Sequence, residues 1–414
     1  MAKSSEQLRS ERAKRIQDAY ELKQPDRIPI VLNLGYMLAR LGGISHAELE
    51  SNPDKAQELL EEYALYYQPD KISGGAIPGK INRMLGDRMT RWPGYDLPDN
   101  QPFQFQEGEY MSEKEYDDFL NDPSDFAIRT FLPRAFSKLE GLAMLPPLAT
   151  AVMGHGALPT IGVLNAPPVQ TALKSLITAA ESMLEAGDRP FKNVQRMAEL
   201  GFPSGMDFAG IAAAPFDFIG DTLRAMRGSM MDMYRCPEKL LAAMEKSRKI
   251  ILKSCIHSAE MTGGKVIMMP LHRGSDGFMS IKQFETFYWP QLKGLLLDMI
   301  DAGLIPSPFY EGVWDNRLHY LAELPKGKTR GSFEKTDMFK AKEIIGDTMC
   351  LTGGFPVSLL QAGTPEKVRE HTRKMCEVVG KNGGFIMAAS SAMDYCDREL
   401  VKVWVESTKE FGKY

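Results

Sequence analysis

The run Leu271-His272-Arg273-Gly274-Ser275-Asp276-Gly277 puts an imidazole, a guanidinium and a carboxylate among small residues. That composition suits the polar wall of a pocket. His272 could orient or protonate a leaving oxygen, and Arg273 and Asp276 could meet hydroxyl or carboxylate groups of a bound ring. A histidine satisfied within its own loop is an equally weighted reading. Later in the chain, Glu311, Asp315, Cys350 and Cys396 have the chemistry of metal ligands. Each has a structural alternative. Cys350 lies in an apolar run and reads as a buried core thiol. Cys396 reads as a loop or helix-start residue, and Asp315 as the cap of a helix beginning at Asn316. Asp207 adds one more acid. His155, within Met153-Gly-His-Gly156, lies in a stretch without clear periodicity, and His371 sits among charged helical residues as solvated surface.

These residues need elements to hold them. Strand-like segments occur at 27–33, 70–75, 205–210, 265–271, 304–310, 329–334, 348–353 and 384–390. The fifth is the weakest, because two prolines interrupt it. Amphipathic segments at 237–261, 280–302 and 365–379 alternate with them, the last opened by Thr364 as cap and Pro365 in the first turn. Alternation of this kind signals parallel strands with crossover helices. Eight such strands favour an α/β fold of the closed (β/α)8 TIM type, whose chemistry sits at the C-terminal strand ends. His272 then follows the fourth strand, Glu311 the fifth and Cys396 the eighth. Residues 80 to 200 are too many for one crossover. They read as a long insertion covering one end of a single barrel domain spanning 1–414. No GxGxxG or Walker-type loop is present, so a nucleotide-binding fold has no support.

Composition narrows the function. Fifty Lys and Arg against 54 Asp and Glu leave a net charge of −4, with no basic block to neutralise phosphates, so nucleic-acid binding is not expected. No apolar run is long enough for a membrane span, and the polar N-terminus does not look like a signal peptide. Five scattered cysteines fit a reducing cytoplasm better than a disulfide framework. The 25 methionines serve as core filler or line a roomy pocket for an aromatic or macrocyclic ligand.

Several segments resemble the uroporphyrinogen decarboxylase superfamily. Near the N-terminus these are Ala13-Lys-Arg-Ile-Gln-Asp-Ala-Tyr20 and Pro25-Asp-Arg-Ile-Pro29. The C-terminal third adds Lys342-Glu-Ile-Ile-Gly-Asp347, Leu351-Thr-Gly-Gly354, Leu360-Gln-Ala-Gly-Thr-Pro-Glu-Lys-Val368 and Gly383-Gly-Phe-Ile-Met387. The resemblance implies a (β/α)8 barrel, in agreement with the strand count. The superfamily contains porphyrinogen decarboxylases and corrinoid-dependent methyltransferases. Decarboxylases of the family carry an arginine-rich loop after the first strand and an essential aspartate near the end of the second. Here those places read Asn33-Leu-Gly-Tyr-Met-Leu-Ala-Arg40 and Ser73-Gly-Gly-Ala76, which disfavours porphyrinogen decarboxylation. Thiol-directed methyltransferases hold zinc with a His-x-Cys and a later Cys. Those positions fall on Phe309, Glu311 and Ser391, which disfavours a thiol acceptor.

What remains resembles the methyltransferase component of the corrinoid-dependent O-demethylases. That resemblance implies zinc held by Glu311, Cys350 and Cys396, with Glu311 standing where the family places a metal ligand. It also implies transfer of a methyl group from a methoxylated aromatic to cobalamin. The chain has no Asp-x-His-x-x-Gly cobalamin signature, so the cobalamin would arrive on a separate corrinoid protein. Candidates to line the aryl pocket are Tyr36, Met206, Asp207, Phe208, Met269, Phe309 and Tyr310, with Arg273 and Asp276 for its polar groups. His272 and Glu311 are the candidate catalytic pair. A decarboxylase of another substrate, a non-aryl methyl donor and a non-catalytic tetrapyrrole-binding barrel are the alternatives. A homodimer is left open.

Overall fold

A computed structural model describes residues 3–75, 79–152, 157–203 and 208–414. The chain divides into two compact units. The first contains Met1–Ala76, Phe191–Ala214 and Arg248–Tyr414, and the second Ile77–Pro190 and Pro215–Ser247.

The first unit is the barrel. Its strands are β1 (Val31–Asn33), β2 (Lys71–Ser73), β3 (Phe208–Ile211), β4 (Val266–Leu271), β5 (Ile305–Tyr310), β6 (Arg330–Phe333), β7 (Cys350–Gly353) and β8 (Phe385–Ile386). β3 to β8 pair in sequence order as one parallel sheet, and β1 pairs in parallel with β2. An Ile30–Met387 bridge joins the two sheets, with the Val31 N–H donating to the Met387 carbonyl at 2.9 Å. Among the described residues no ladder joins β2 to β3. All eight strands fall at or within two or three residues of the segments expected from hydrophobic patterning, apart from shortened first and last strands.

β5 forms despite Pro306 and Pro308, and its geometry shows how. The Ile305 N–H donates to Lys265 and the Glu311 N–H to Leu271, so odd-numbered N–H groups face β4. The prolines occupy even positions, whose N–H groups would face β6. The β5–β6 ladder accordingly begins only at Phe309 and Tyr310, against Ser332 and Phe333. The missing donors fall where no partner is present.

Helices α1 (Ser5–Tyr20), α2 (Pro53–Tyr67), α3 (Pro237–Thr262), α4 (Trp289–Asp301), α5 (Met338–Ile345), α6 (Pro365–Val378) and α7 (Arg398–Phe411) start where local chemistry allows. Ser4 and Gln7 form a capping box on α1, the Thr364 side chain accepts the Lys367 N–H with Pro365 in the first turn of α6, and Asp397 caps α7. Among the described residues no helix is long and apolar enough to cross a membrane.

α1 lies across the N-terminal end of the barrel. Ile16 and Ala19 pack with Cys350 of β7 and Ile386 of β8, and Tyr20 stacks under the Arg330 guanidinium of β6, 3.6 Å away. Charge fastens it. Asp70, fully buried before β2, accepts from Arg15, from Arg27 at 2.7 and 2.8 Å, and from the Ile30 N–H at 2.8 Å. Arg15 also grips Asp26 through two nitrogens at 2.6 and 2.7 Å. A buried carboxylate is tolerated here because two guanidiniums and a backbone amide saturate it.

The second unit has its own core, in which Leu139, Leu142, Leu145, Val169 and Ala172 pack together. Gly141 is required there, since a Cβ would come within 2.0 Å of the Pro168 carbonyl oxygen. A second saturated charge, Asp232, accepts from Arg224 Nε at 2.6 Å and from the Tyr116 hydroxyl at 2.7 Å.

Candidate active site

The site forms one residue beyond the ends of β4, β5 and β6. Leu271 pairs with Tyr310 and Tyr310 with Phe333. The residues that follow, His272, Glu311 and Glu334, are therefore neighbours in a row at the C-terminal end of the barrel. The backbone ladder continues through them: Glu311 N–H donates to Leu271 O at 3.3 Å and Glu334 N–H to Tyr310 O at 3.2 Å. His272 Nε2 lies 3.4 Å from a Glu311 carboxylate oxygen, and both side chains reach solvent. The Glu334 carboxylate turns aside to accept the Gly312 N–H at 2.7 Å. That bond holds the turn directly after Glu311. Gly312 is in the left-handed region at φ 74°, and a Cβ there would meet the Ser275 side chain at 3.0 Å.

Three loops lock together behind this row. Asp276 N–H donates to Val313 O at 2.7 Å, and the Asp276 carboxylate accepts the Asn316 N–H at 3.0 Å. Thr336 Oγ1 accepts the Trp314 N–H at 3.1 Å, and the Asp315 carboxylate accepts the Asp337 N–H at 2.9 Å. Asp276 and Asp315 are thus loop ties. Asp315 caps no helix by side chain, contrary to the cap expected from sequence, because its carboxylate is drawn to the neighbouring loop.

Strand alternation decides which candidates can face a ligand. Tyr310 is fully buried, stacks on Phe333 at 4.8 Å and meets Trp314 edge-on at 4.8 Å, on the helix side of the sheet. It is not a lining residue, and Met269, which shares its parity through Leu271, faces the same layer. Phe309 points the other way, in register with Pro270 and Ser332, and Met268 takes the place given to Met269. Phe208 opens to solvent at β3. Tyr36 anchors a loop: its N–H donates to Asp394 at 2.9 Å, its hydroxyl to Glu50 at 2.7 Å, and its ring packs on His46 at 4.4 Å. Met206, Asp207 and His155 lie outside the described residues. His371 is half-buried, against Phe355 and Phe339, and not the solvated residue expected. Burial pushes its imidazole below the usual range.

Arg317 and Arg273 are turned into the fold, whereas Arg40 is exposed. Arg317, fully buried, donates to Met279 O at 2.6 Å and packs over the Phe284 ring. Arg273 is buried against Phe278, and Arg40 donates to the Cys396 carbonyl. Arg273 and Asp276 therefore stand behind the row as packing and loop contacts, not as the free polar groups expected.

The expected metal set does not assemble. Glu311 stands at the C-terminal strand ends, whereas Cys350 opens β7 at the opposite end, beneath α1. Cys396 is buried beyond β8. Burial pushes both thiols up to about 12. Among the described residues no group of three or more His, Cys, Asp and Glu side chains is placed to hold a metal.

Two residues escaped sequence reading. Glu334 occupies the same place relative to its strand as His272 and Glu311, so the strand-end rule could have found it. Asp394, beyond β8, holds the first loop through Tyr36, and its carboxyl is raised by burial although the Tyr36 amide opposes this. No local motif marks it.

Comparisons with known proteins agree with this architecture. A methyltransferase from Methanosarcina mazei superposes with a TM-score of 0.56 over 96% of this chain and 98% of that one, at 14% identity, which speaks to the fold alone. A B12-independent methionine synthase from Shewanella sp. W3-18-1 reaches only 0.31, at 14% identity, over 49% of this chain and 60% of that one. A search of curated proteins gives no match. The sequence profile described as Uroporphyrinogen decarboxylase (URO-D) matches residues 170–411. That match spans more than half of the chain and every barrel strand from β3 to β8, and the chain accordingly belongs to the uroporphyrinogen decarboxylase family.

Proposed function

We propose that the protein is a methyltransferase that passes the methyl group of a methoxylated aromatic to the reduced cobalt of a cobalamin carried by a separate corrinoid protein. The observation that carries this reading is the His272–Glu311 pair at the open strand ends. Dealkylating an aryl ether needs a proton delivered to a leaving oxygen, and an imidazole at the open strand ends is placed to deliver one. The methyl carbon–oxygen bond breaks, its electron pair stays on oxygen, and the His272 proton completes the phenol. The methyl group goes to the cobalt of the acceptor. Phe309 and Met268 supply apolar surface for the ring. Two further points support the reading. Arg273 and Arg317 are spent inside the fold, which leaves few cations there for a polycarboxylate such as a porphyrinogen. The M. mazei neighbour carries the name methyltransferase.

The test is methyl transfer from vanillate- or guaiacol-like compounds to a reduced corrinoid protein, followed by cobalt absorbance. His272→Asn and Glu311→Gln should each lower kcat by about 10²- to 10⁴-fold, the usual worth of general acid catalysis. Turnover of methanol or methylamines with no aryl ether accepted would overturn the substrate assignment. Decarboxylation without methyl transfer would overturn the reaction.

A further inference from the structure

The N-terminal end of the barrel carries a cavity that the chemistry at the mouth does not use. Its volume is about 310 Å³, close to the lower bound of about 300 Å³ for pockets that take small molecules. Four stretches wall it: Glu21 and Leu22 after α1, Lys326 and Gly327 before β6, the end of α5 before β7, and Asn382 to Gly384 before β8. Each lies ahead of a strand, at the end opposite His272 and Glu311. Two ammonium groups line the space. Lys342 of α5 is half-buried and gives one N–H to the Gly383 carbonyl at 2.8 Å. An ammonium has three donors, and among the described residues the other two meet no acceptor. Neither Lys342 nor Lys326 is ion-paired among the described residues. Gly346 makes room for the Lys342 stem, since a Cβ there would come within 2.7 Å of Lys342 Cδ. Burial depresses the Lys342 ammonium, although Asp347 and Cys350 oppose this, and an anion in the cavity would offset that cost.

We propose that this cavity is a second ligand site, which takes a small hydroxylated phosphate monoester with its phosphate on Lys326 and Lys342 and its hydroxyls on Asp347 and Asn382. The wall selects that chemistry. Of its two carboxylates, Glu21 is already taken by Gln17 at 2.7 Å and Lys23 at 2.5 Å. Asp347 is exposed and, with the Asn382 carboxamide, offers acceptors to hydroxyl groups. Two lysines facing one carboxylate that is not otherwise held favour an anion over a cation. Among the described residues no aromatic ring lines the cavity, so a nucleotide base has nothing to stack on. Leu22 is the one apolar side chain in the described wall, so an apolar acid would bury little surface. Arginine, whose planar fork matches a carboxylate, is absent from that wall, whereas lysine meets phosphate as a point charge.

The inference is independent of the chemistry at the barrel mouth, and its test needs no activity. Titration calorimetry of the full chain with glycerol 3-phosphate should show saturable binding at one site per chain. Inorganic phosphate should bind more weakly and glycerol not at all. Lys342→Gln and Lys326→Ala should each lower the affinity about tenfold, as loss of a charged hydrogen bond does. Lys326 is exposed, so its variant carries the test if Lys342→Gln fails to fold. Lys328→Ala removes a neighbouring exposed lysine outside the wall and should change nothing. Absence of saturable binding overturns the proposal, as does binding that survives both cavity variants or falls equally in Lys328→Ala. Citrate bound more tightly than glycerol 3-phosphate would overturn the phosphate assignment, and inorganic phosphate bound as tightly would overturn the role of the hydroxyls. Affinity lost in His272→Asn would move the ligand to the barrel mouth and overturn the second site.

Discussion

At the scale of single residues, direction matters as much as identity. Glu334 holds the Gly312 amide and through it the turn that carries Glu311. Glu334→Ala should lower kcat about tenfold while leaving substrate KM little changed, as expected when a catalytic group is slightly misplaced. Glu334→Gln keeps an acceptor oxygen and should restore most of the rate. Asp394 gives a pH test. Burial raises its carboxyl above the usual range, so the stability it allows is complete below its unfolded value of 3.8 and falls as pH rises through the folded value. Asp394→Asn retains an acceptor for the Tyr36 amide. It should therefore melt higher than wild type at neutral pH, and the difference should vanish below pH 3.8. A melting difference that grows on acidification would refute this account. The residues misjudged from sequence, Met269 and Tyr310, share one cause. Side-chain direction in a strand flips with each residue, so naming the right strand without its register leaves an even choice between lumen and helix layer.

At the scale of elements, the strands were legible because apolar runs bounded by Gly, Pro and Asp persist in this fold, and the caps of α6 were legible from Thr364 and Pro365. What could not be read was the meeting of distant segments. Asp70 looks like an ordinary residue before a strand, yet it ties α1 and the Arg27 segment to β2. The same distance along the chain hid the position of Cys350, which joins α1 in the core instead of approaching Glu311. Asp70→Asn leaves two buried or half-buried guanidiniums without their shared anion. It should cost about 3–5 kcal/mol, the usual penalty for breaking a buried ion pair, read as a lowered urea midpoint with an unchanged slope. Loss of less than about 1 kcal/mol would place the pair among solvent-screened contacts. Cys350 offers a chemical check on the same layer. Its thiol, pushed up to about 12 and sealed beneath α1, should resist alkylation in the native state and react in step with global unfolding.

At the scale of the whole molecule, each unit contains its own packed apolar core and its own saturated buried carboxylate, Asp70 in one and Asp232 in the other. Calorimetry should resolve two transitions, with Asp232→Asn lowering one and Asp70→Asn the other; equal shifts of both by either variant would show a single cooperative block. The floor that α1 lays across the barrel has a further consequence. The strand ends that carry His272 and Glu311 lie opposite that floor, and they are the door. On the proposed chemistry, a small aromatic and a bulky acceptor protein must use that door in turn, aromatic first. Too much acceptor should then slow the reaction by standing in the doorway before the aromatic has entered. Steady-state rates should pass through a maximum as acceptor is raised at low donor concentration, and raising donor should abolish the decline. The protein's order of service would thus be dictated by architecture, with no conformational gate required.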